Sequence, residues 1–244
     1  MKAKYLDRVI AAGHEARSVA LATDLTSGRQ LLLEAEAGGD RFDGDLALDD
    51  AQRAAMREAL RADRNVTLDN AGARIFVQVF SPPRRCFVVG AVHIAQPLVQ
   101  MLSLTDYRAI VIDPRGSFAT EVRFPGVELT TEWPDEALER LKPDQRSAVV
   151  TLTHDPKLDD PALAVALRSE CFYIGALGSK RTHAARLRRL ADIGFTDADF
   201  ARIRGPIGLP IGAVSQAEIA ISILAEMTQI LRKGDDKPAK AEAA

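Results

Sequence analysis

The first residues that could do chemistry lie where an apolar run meets a glycine. Residues 86–95 read CFVVGAVHIA, and a helix-like segment begins shortly after Gly90. A strand, a glycine turn and a helix in this order point backbone N–H groups and the positive end of a helix dipole at one spot, where an anion can bind. We therefore predict that Gly90, Ala91 and His93 contact an anionic ligand.

The same turn nearly matches a dinucleotide-binding fingerprint, which requires glycine at its first, third and sixth places. The sequence has Gly90, Val92 and Ala95 at those places. Ala95 is tolerated, because that place needs only a small residue for strand–helix packing. The middle glycine lets the backbone approach a pyrophosphate, and the β-branched side chain of Val92 would block that approach. NAD(P) is therefore a disfavoured ligand.

A second pair of candidates, Asp113 and Arg115, follows the next apolar run. Asp113 lies 23 residues after Gly90, close to the spacing of about 20 at which an acidic residue binds a ribose hydroxyl. The planar guanidinium of Arg115 suits a phosphate. The alternative interpretation is a helix cap with a surface salt bridge, and the sequence leaves both open.

A third pair, His154 and Asp155, stands at the tip of the run SAVVTLT. Asp159 or Asp160 is predicted to cap the following helix, with Pro161 in its first turn. That explanation leaves His154 and Asp155 without a structural role. Their position at a strand end favours a place in a binding site.

A second glycine turn combines Gly175 and Gly178 with Ser179, Lys180 and Arg181 at the start of a predicted helix. Cations are unfavourable at the positive end of a helix dipole, and a bound anion would offset them. We predict a phosphate or a similar group here. A tight turn with solvated basic side chains is the alternative.

The elements that must position these residues alternate after the prolines at positions 82 and 83. Predicted strands cover residues 86–90, 109–113, 147–153 and 171–175, with a helix after each and a last helix over 215–232. Alternation of this kind builds a parallel sheet covered by helices, and ligands bind at the carboxyl ends of its strands. The apolar loop 205–213 is expected to pack over those ends.

The predicted fold class is α/β, a Rossmann-like parallel sheet with helices on both faces, preceded by a small α+β N-terminal domain. The N-terminal pattern predicts helices over 4–12 and 49–61 and two pairs of strands. The predicted domains are 1–81, 82–232 and a flexible tail, 233–244.

The bulk composition excludes several classes of protein. The net charge of −2 gives no reason to expect nucleic acid or an anionic membrane as a partner. Cys86 and Cys171 lie in apolar runs without a C-x-x-C pair, which predicts two buried thiols in a reducing compartment. No leader, membrane span or metal site is evident, so we expect a cytoplasmic protein.

Six motifs in order resemble the XdhC/CoxI family, the accessory proteins of xanthine dehydrogenase. They are GAVHIAQPL, IDPR, LTHDPKLDDPAL, FYIGALGSKRT, PIGLPIGA and EIAISILAE. The resemblance implies a chaperone that binds molybdenum cofactor (molybdopterin), assists its sulfuration and helps insert it into a molybdenum hydroxylase apoenzyme such as xanthine dehydrogenase. It also implies a cysteine desulfurase as a partner and is compatible with a homodimer.

The resemblance has two departures. Val92 replaces a glycine that is usual in the family. Residues 1–85 also lack the family's G-S-x-P and G-G-C-V-E motifs. The role of the cysteine in the second motif therefore cannot be carried over to this chain. The chain is expected to act without catalysis, and no catalytic residue is assigned. The alternatives are an NAD(P)-dependent oxidoreductase using the same pocket, with His154 and Asp155 as its acid/base pair, and an interaction module with a vestigial pocket.

Overall fold

The computed structural model describes residues 2–36, 39–70 and 72–233 of the 244-residue chain. The chain divides into two compact units, Met1–Pro82 and Pro83–Ala244. Residues 234–244, most of the predicted tail, lie outside the described residues. Among the residues that are described, no helix is both long and apolar enough to cross a membrane.

The first unit is a five-stranded antiparallel sheet with two helices. In chain order its elements are α1 Ala3–His14, β1 Val19–Asp24, β2 Gln30–Glu36, β3 Gly39–Gly44, α2 Asp50–Arg61, β4 Val66–Asn70 and β5 Ala73–Phe80. The sheet order is β3-β2-β1-β5-β4. Asp49 caps α2 through a reciprocal bond with Gln52, as the acidic start of that helix predicts.

The second unit is a six-stranded parallel sheet flanked by helices. Its elements are β6 Arg84–Val89, α3 Ala95–Leu104, β7 Tyr107–Ile112, β8 Glu128–Thr130, α4 Pro134–Leu141, β9 Ser147–Thr151, α5 Pro156–Arg168, β10 Tyr173–Ala176, α6 Lys180–Asp192, α7 Asp197–Phe200, β11 Ile203–Arg204 and α8 Gln216–Lys233. The strand order is β11-β10-β9-β6-β7-β8.

Each face of the parallel sheet is buried under its own helical layer. Along β6, Cys86 and Val88 join one apolar cluster with residues of α3 and α8, whereas Phe87 and Val89 join another with residues of α4, α5 and α6. Side chains alternate between the faces of a strand, so a continuous apolar run supplies both clusters. The predicted α/β class with helices on both faces is confirmed.

Four elements were not predicted: β3, β8, α7 and β11. The three strands lie at the edges of their sheets, where one neighbour and partial exposure remove the need for an apolar run. A further difference concerns α5, which begins at Pro156 instead of Asp159.

Candidate functional site

The candidate site lies where the strand order reverses, between β6 and β9. In open parallel sheets this point leaves a crevice outside the carboxyl ends of the strands. Gly90 directly follows β6 with a φ of +106°, and a β-carbon there would collide with the side chain of Thr153, just after β9. Glycine is therefore required because the two strand-end loops touch.

The carboxylate of Asp113 ties the Gly90 turn to the end of β7. Asp113 is fully buried, and its Oδ2 accepts the Ala91 N–H at 2.8 Å. Arg115 donates to both carboxylate oxygens, from Nε at 2.8 Å and from Nη2 at 2.7 Å. The acidic residue at ribose-binding spacing is thus engaged by the protein, and so is the Ala91 amide predicted to face an anion.

The ionisation of Asp113 follows from these partners. Burial by itself raises the pKa of a carboxyl group, but the hydrogen bonds from Arg115 and from the Ala91 N–H hold the pKa of Asp113 below its ordinary value of 3.8. Asp113 is therefore a carboxylate at neutral pH, and its charge is balanced by the half-exposed guanidinium of Arg115.

Val92 and His93 point to different surroundings. Val92 is half-buried and packs against the cluster shared with α3 and α8. His93 is exposed and lines a shallow pocket of about 320 Å³ with residues from the starts of α3 and α8. None of the other predicted site residues lines that pocket.

His154 and Asp155 lie at the carboxyl end of β9 and are exposed. His154 has a φ of +62°, and Asp155 is the N-cap of α5, where its side chain accepts the Lys157 N–H at 2.9 Å. The expectation that Asp155 had no structural role was wrong. His154 is the member of the pair whose side chain has no such task.

Asp159 was predicted as a possible cap and is instead a buried member of α5. It accepts a hydrogen bond from Thr153 Oγ1 at 2.6 Å and faces the Arg186 guanidinium at 3.4 Å. Burial raises the pKa of Asp159, against the hydrogen bond from Thr153 and the charge of Arg186. Asp155 takes the capping role because Asp155-Pro156 offers the same cap-and-proline pattern one turn earlier.

The residues of the second glycine turn have separate tasks. Gly175 lies inside β10, and a β-carbon there would meet Ile207 and, at 2.7 Å, Tyr173; its role is packing. Gly178 makes the turn with a φ of +139°. Ser179 caps α6 by accepting the Thr182 N–H at 3.1 Å.

Lys180 and Arg181 are exposed at the first turn of α6. Neither side chain makes a hydrogen bond or an ion pair to another residue within the described ranges. Two adjacent cations without a partner at the positive end of a 13-residue helix leave a local excess of positive charge. This is the part of the candidate site that a bound anion would complete.

The loop 205–213 is anchored to β10 and α8. Ile207 covers Gly175, as expected for a loop that packs on the strand ends. Glu226 of α8 accepts the Gly208 N–H at 2.9 Å and the Tyr173 hydroxyl at 2.6 Å. Glu226 is half-buried and holds the loop.

The thiols take no part in the candidate site. Cys86 and Cys171 are free and buried, and burial raises the pKa of both, that of Cys171 to about 11. Thiols of this kind are poor nucleophiles. Across residues 2–36, 39–70 and 72–233, no group of three His, Cys, Asp or Glu residues could hold a metal ion.

Two larger grooves, each of about 650 Å³, lie elsewhere. One is lined by α3, the amino end of β7 and residues 123–128, and the other by α3, α8 and Leu209. No candidate site residue lines either groove. These two grooves therefore do not coincide with the candidate ligand contacts.

The sequence argument did not reveal the buried contacts of three residues near the strand ends: Asp159, Arg186 and Glu226. A signal existed for Arg186, which lies four residues before the buried Leu190 on α6 and so occupies a core-facing position. Their partners are distant in sequence, 27 residues for Arg186 and Asp159, and local patterns do not reveal such pairs.

Comparisons with known proteins gave a matching family model, individual relatives and a solved structure. The family model for the XdhC Rossmann domain matches residues 86–227. The sequence is 38% identical to the molybdenum cofactor insertion chaperone PaoD of Escherichia coli over 87 residues. The matched segment makes up 36% of this chain and 27% of PaoD. Over 160 residues, 65% of the chain, it is 31% identical to a probable xanthine dehydrogenase subunit of Bacillus subtilis, of which this covers 46%.

A solved structure described as a xanthine dehydrogenase from Bacillus halodurans superposes with a TM-score of 0.71 at 25% identity, covering 98% of this chain and 66% of that one. The chain spans less than half the length of the two curated relatives. The family match covers more than half of the chain, and all of the parallel-sheet strands except part of β6 lie within it. The chain belongs to the XdhC family.

Proposed function

We propose that this protein binds molybdenum cofactor at the carboxyl edge of its parallel sheet, assists its sulfuration and delivers it to xanthine dehydrogenase or a related molybdenum hydroxylase. The name of the Escherichia coli relative, a molybdenum cofactor insertion chaperone, supports this function. When bound, the cofactor would supply the redox chemistry of the recipient enzyme. The residues of this chain would hold the cofactor and release it.

The observation that carries the proposal is the pair of cations Lys180 and Arg181, whose side chains make no hydrogen bond or ion pair to another described residue. A helix dipole disfavours cations at its positive end, so their placement there without a carboxylate is costly unless an anion is bound. Molybdopterin ends in a phosphate, which an exposed lysine and arginine can contact with charged hydrogen bonds. Gly178 and the N-terminal turn of α6 would let this group approach the backbone.

The remaining candidates fit unequally. His154 is exposed at the neighbouring strand end and is free to donate to a polar edge of the ligand. Asp113 and the Ala91 N–H already satisfy each other, so their proposed role is to keep the Gly90 turn in shape. Arg115 is bound to Asp113 but remains 40% exposed, which leaves its outer face for the ligand.

The test is a titration of the purified protein with molybdopterin released from a molybdenum hydroxylase, with anaerobic handling. We expect Arg181→Ala to weaken binding about ten- to a hundredfold, because a charged hydrogen bond contributes about 1.5–3 kcal/mol. Arg188→Ala is the matched control, since Arg188 is exposed on the same helix two turns later. Unchanged affinity in the double variant Lys180→Ala/Arg181→Ala would support the alternative interpretation, in which both are solvated side chains without a ligand.

The competing oxidoreductase function is tested through Val92. If the Val92 side chain blocks a pyrophosphate, NAD(P) should bind weakly or not at all, and Val92→Gly should gain affinity in calorimetry. Micromolar binding of NAD to the unmutated protein would contradict the steric argument. Mass spectrometry of the ligand that co-purifies anaerobically separates the two functions, since a pterin supports delivery and NAD(P) supports the oxidoreductase.

A further inference from the structure

Arg186 is a charged side chain in the core of the second unit. Its side chain is 2% exposed, and that of its partner Asp159 is 1% exposed. Nη2 of Arg186 donates to the Leu177 carbonyl at 2.8 Å and to Asp159 Oδ2 at 3.4 Å. Leu177 immediately precedes the Gly178 turn. The guanidinium therefore lies against the loop that leads from β10 into α6.

The same guanidinium is linked to the other strand-end loop through Asp159. Thr153 Oγ1 donates to Asp159 Oδ1 at 2.6 Å, and the Asp155 N–H donates to Thr153 Oγ1 at 3.0 Å. A continuous path of hydrogen bonds thus runs from Leu177 through Arg186, Asp159 and Thr153 to Asp155. It joins the loop that bears His154 to the loop that bears Ser179, Lys180 and Arg181.

A buried charged pair is weak evidence that the pair is there for stability. Nε and Nη1 of Arg186 are buried and have no hydrogen-bond partner in the described structure. Replacing a buried ion pair by apolar side chains of similar volume is often neutral or stabilising, and an incompletely satisfied pair is less favourable still. A role for the pair other than holding the fold together is therefore favoured.

We infer that Arg186 is a positioning residue, which acts through Asp159 and the Leu177 carbonyl to hold the two ligand-bearing loops at a fixed separation. This inference rests on the proposed function for the identity of the ligand, molybdopterin. A ligand that contacts both His154 and the cations of α6 needs these contacts at a set distance. Arg186 would set that distance without touching the ligand.

The chain offers a matched control on the same two helices. Arg189 and Asp160 also pair between α6 and α5, with Nη2 to Oδ1 at 3.1 Å, but their side chains are 39% and 16% exposed. Nε and Nη2 of Arg189 both donate to this one carboxylate. Breaking this pair changes the α5–α6 contact without touching the strand-end loops.

The test compares Arg186→Met, the charge-free double variant Arg186→Met/Asp159→Leu, and Arg189→Met. We expect the double variant to unfold at a temperature close to that of the unmutated protein, since no charge is left unpaired, and yet to bind molybdopterin at least tenfold more weakly. Arg189→Met should bind within about twofold of the unmutated protein. If Arg186→Met alone does not fold, the double variant carries the comparison.

Two results would overturn the inference. One is an unchanged affinity for molybdopterin in the double variant. The other is an affinity that is low in Arg186→Met and recovers in the double variant together with its stability, which marks a purely structural pair. Amide hydrogen exchange of the ligand-free proteins gives a second readout. Exchange should quicken at least tenfold at residues 153–155 and 177–179 in the double variant and stay unchanged in Arg189→Met. If the unmutated protein binds no molybdopterin, the proposed function fails, and unaltered exchange would still refute the positioning role by itself.

Discussion

Asp113 shows how one buried carboxylate can shape the turn that follows a strand. Its two oxygens are shared between the Ala91 N–H and Arg115, and the side chain is fully buried. The turn after β6 is therefore held in its form by contacts within the protein. Such preorganisation lowers the ordering cost of binding.

The stability of the protein should depend on pH through Asp113. Its pKa in the folded state lies below the ordinary 3.8, so the ionised group contributes stability that is present above pH 3.8 and is lost as the pH falls through the folded-state pKa. Asp113→Asn should cost about 1.5–3 kcal/mol at pH 7, the contribution of hydrogen bonds to a charged group. Urea unfolding at several pH values measures the difference.

The gap between Asp113→Asn and the unmutated protein should stay constant from pH 7 to pH 5 and shrink below pH 3.8. The exposed Asp106→Asn serves as control and should change the free energy of unfolding by less than about 0.5 kcal/mol. A gap that persists undiminished at pH 2 would contradict the assigned ionisation.

His154 should matter for delivery and not for folding. Its side chain is exposed, and its backbone is left-handed with a φ of +62°, so His154→Gly removes the imidazole without adding strain. We expect an unchanged or slightly higher melting temperature. Activation of cofactor-free xanthine dehydrogenase should fall about two- to tenfold, the effect of one hydrogen bond.

His14→Ala, another exposed histidine but in the first unit, is the control for His154→Gly and should leave activation unchanged. A variant of His154 that loses stability in proportion to activation would instead mark a structural histidine.

At the scale of elements, Glu226 fixes the loop 205–213 to β10 and α8. The pKa of Tyr173 is raised well above 10, by burial first and then by the negative charge of Glu226. The hydroxyl is therefore a hydrogen-bond donor at any ordinary pH. Two bonds that converge on one carboxylate hold the loop.

Removing that carboxylate should be more harmful than removing the hydroxyl. Tyr173→Phe loses one bond and should cost about 1 kcal/mol. Glu226→Ala leaves a buried hydroxyl and the Gly208 N–H without their acceptor and should cost about 2–4 kcal/mol, measured by urea unfolding. Equal costs in the two variants would show that the carboxylate holds only the tyrosine.

Prediction from sequence succeeded for the elements that are buried on both sides. The runs of β6, β7, β9 and β10 are apolar because helices cover both faces of these strands. A continuous apolar run can be recognised from the sequence alone. The edge strand β3 carries GDRFDG, with charges that face water, and β8 and β11 are only three and two residues long. Partners across the sheet define these strands, so the local sequence carries little trace of them.

The placement of the candidate residues in the fold was predicted to the same extent, whereas their contact with a ligand stays a prediction. Gly90, His154 and the cations of α6 do lie at strand ends on one edge, since parallel strands place them there. Asp155, Gly175 and Ser179 turned out to have capping or packing tasks, because the same residue types serve both purposes. Arg186 was missed because its partner Asp159 lies 27 residues away, and local sequence patterns do not reveal such a pair.

For the molecule as a whole, the two units have separate buried cores. Met56 is fully buried in the core of the first unit, and Met227 is fully buried in that of the second. Each Met→Ala change should destabilise its own unit by about 2–5 kcal/mol. In calorimetry we expect two unfolding transitions. Met56→Ala should lower the temperature of one, and Met227→Ala should lower the temperature of the other. Only Met227→Ala should weaken ligand binding. A single transition shifted by both variants would argue against independent domains.

Lys180 and Arg181 are exposed to solvent, so dissolved salt screens their attraction for an anion. At physiological ionic strength the screening length is about 8 Å, so the attraction fades within about two turns of helix. Under the proposed function, an acidic surface that came this close would compete for the same two cations and weaken their attraction for the bound anion. A negatively charged recipient would then promote release of the cofactor by docking near α6.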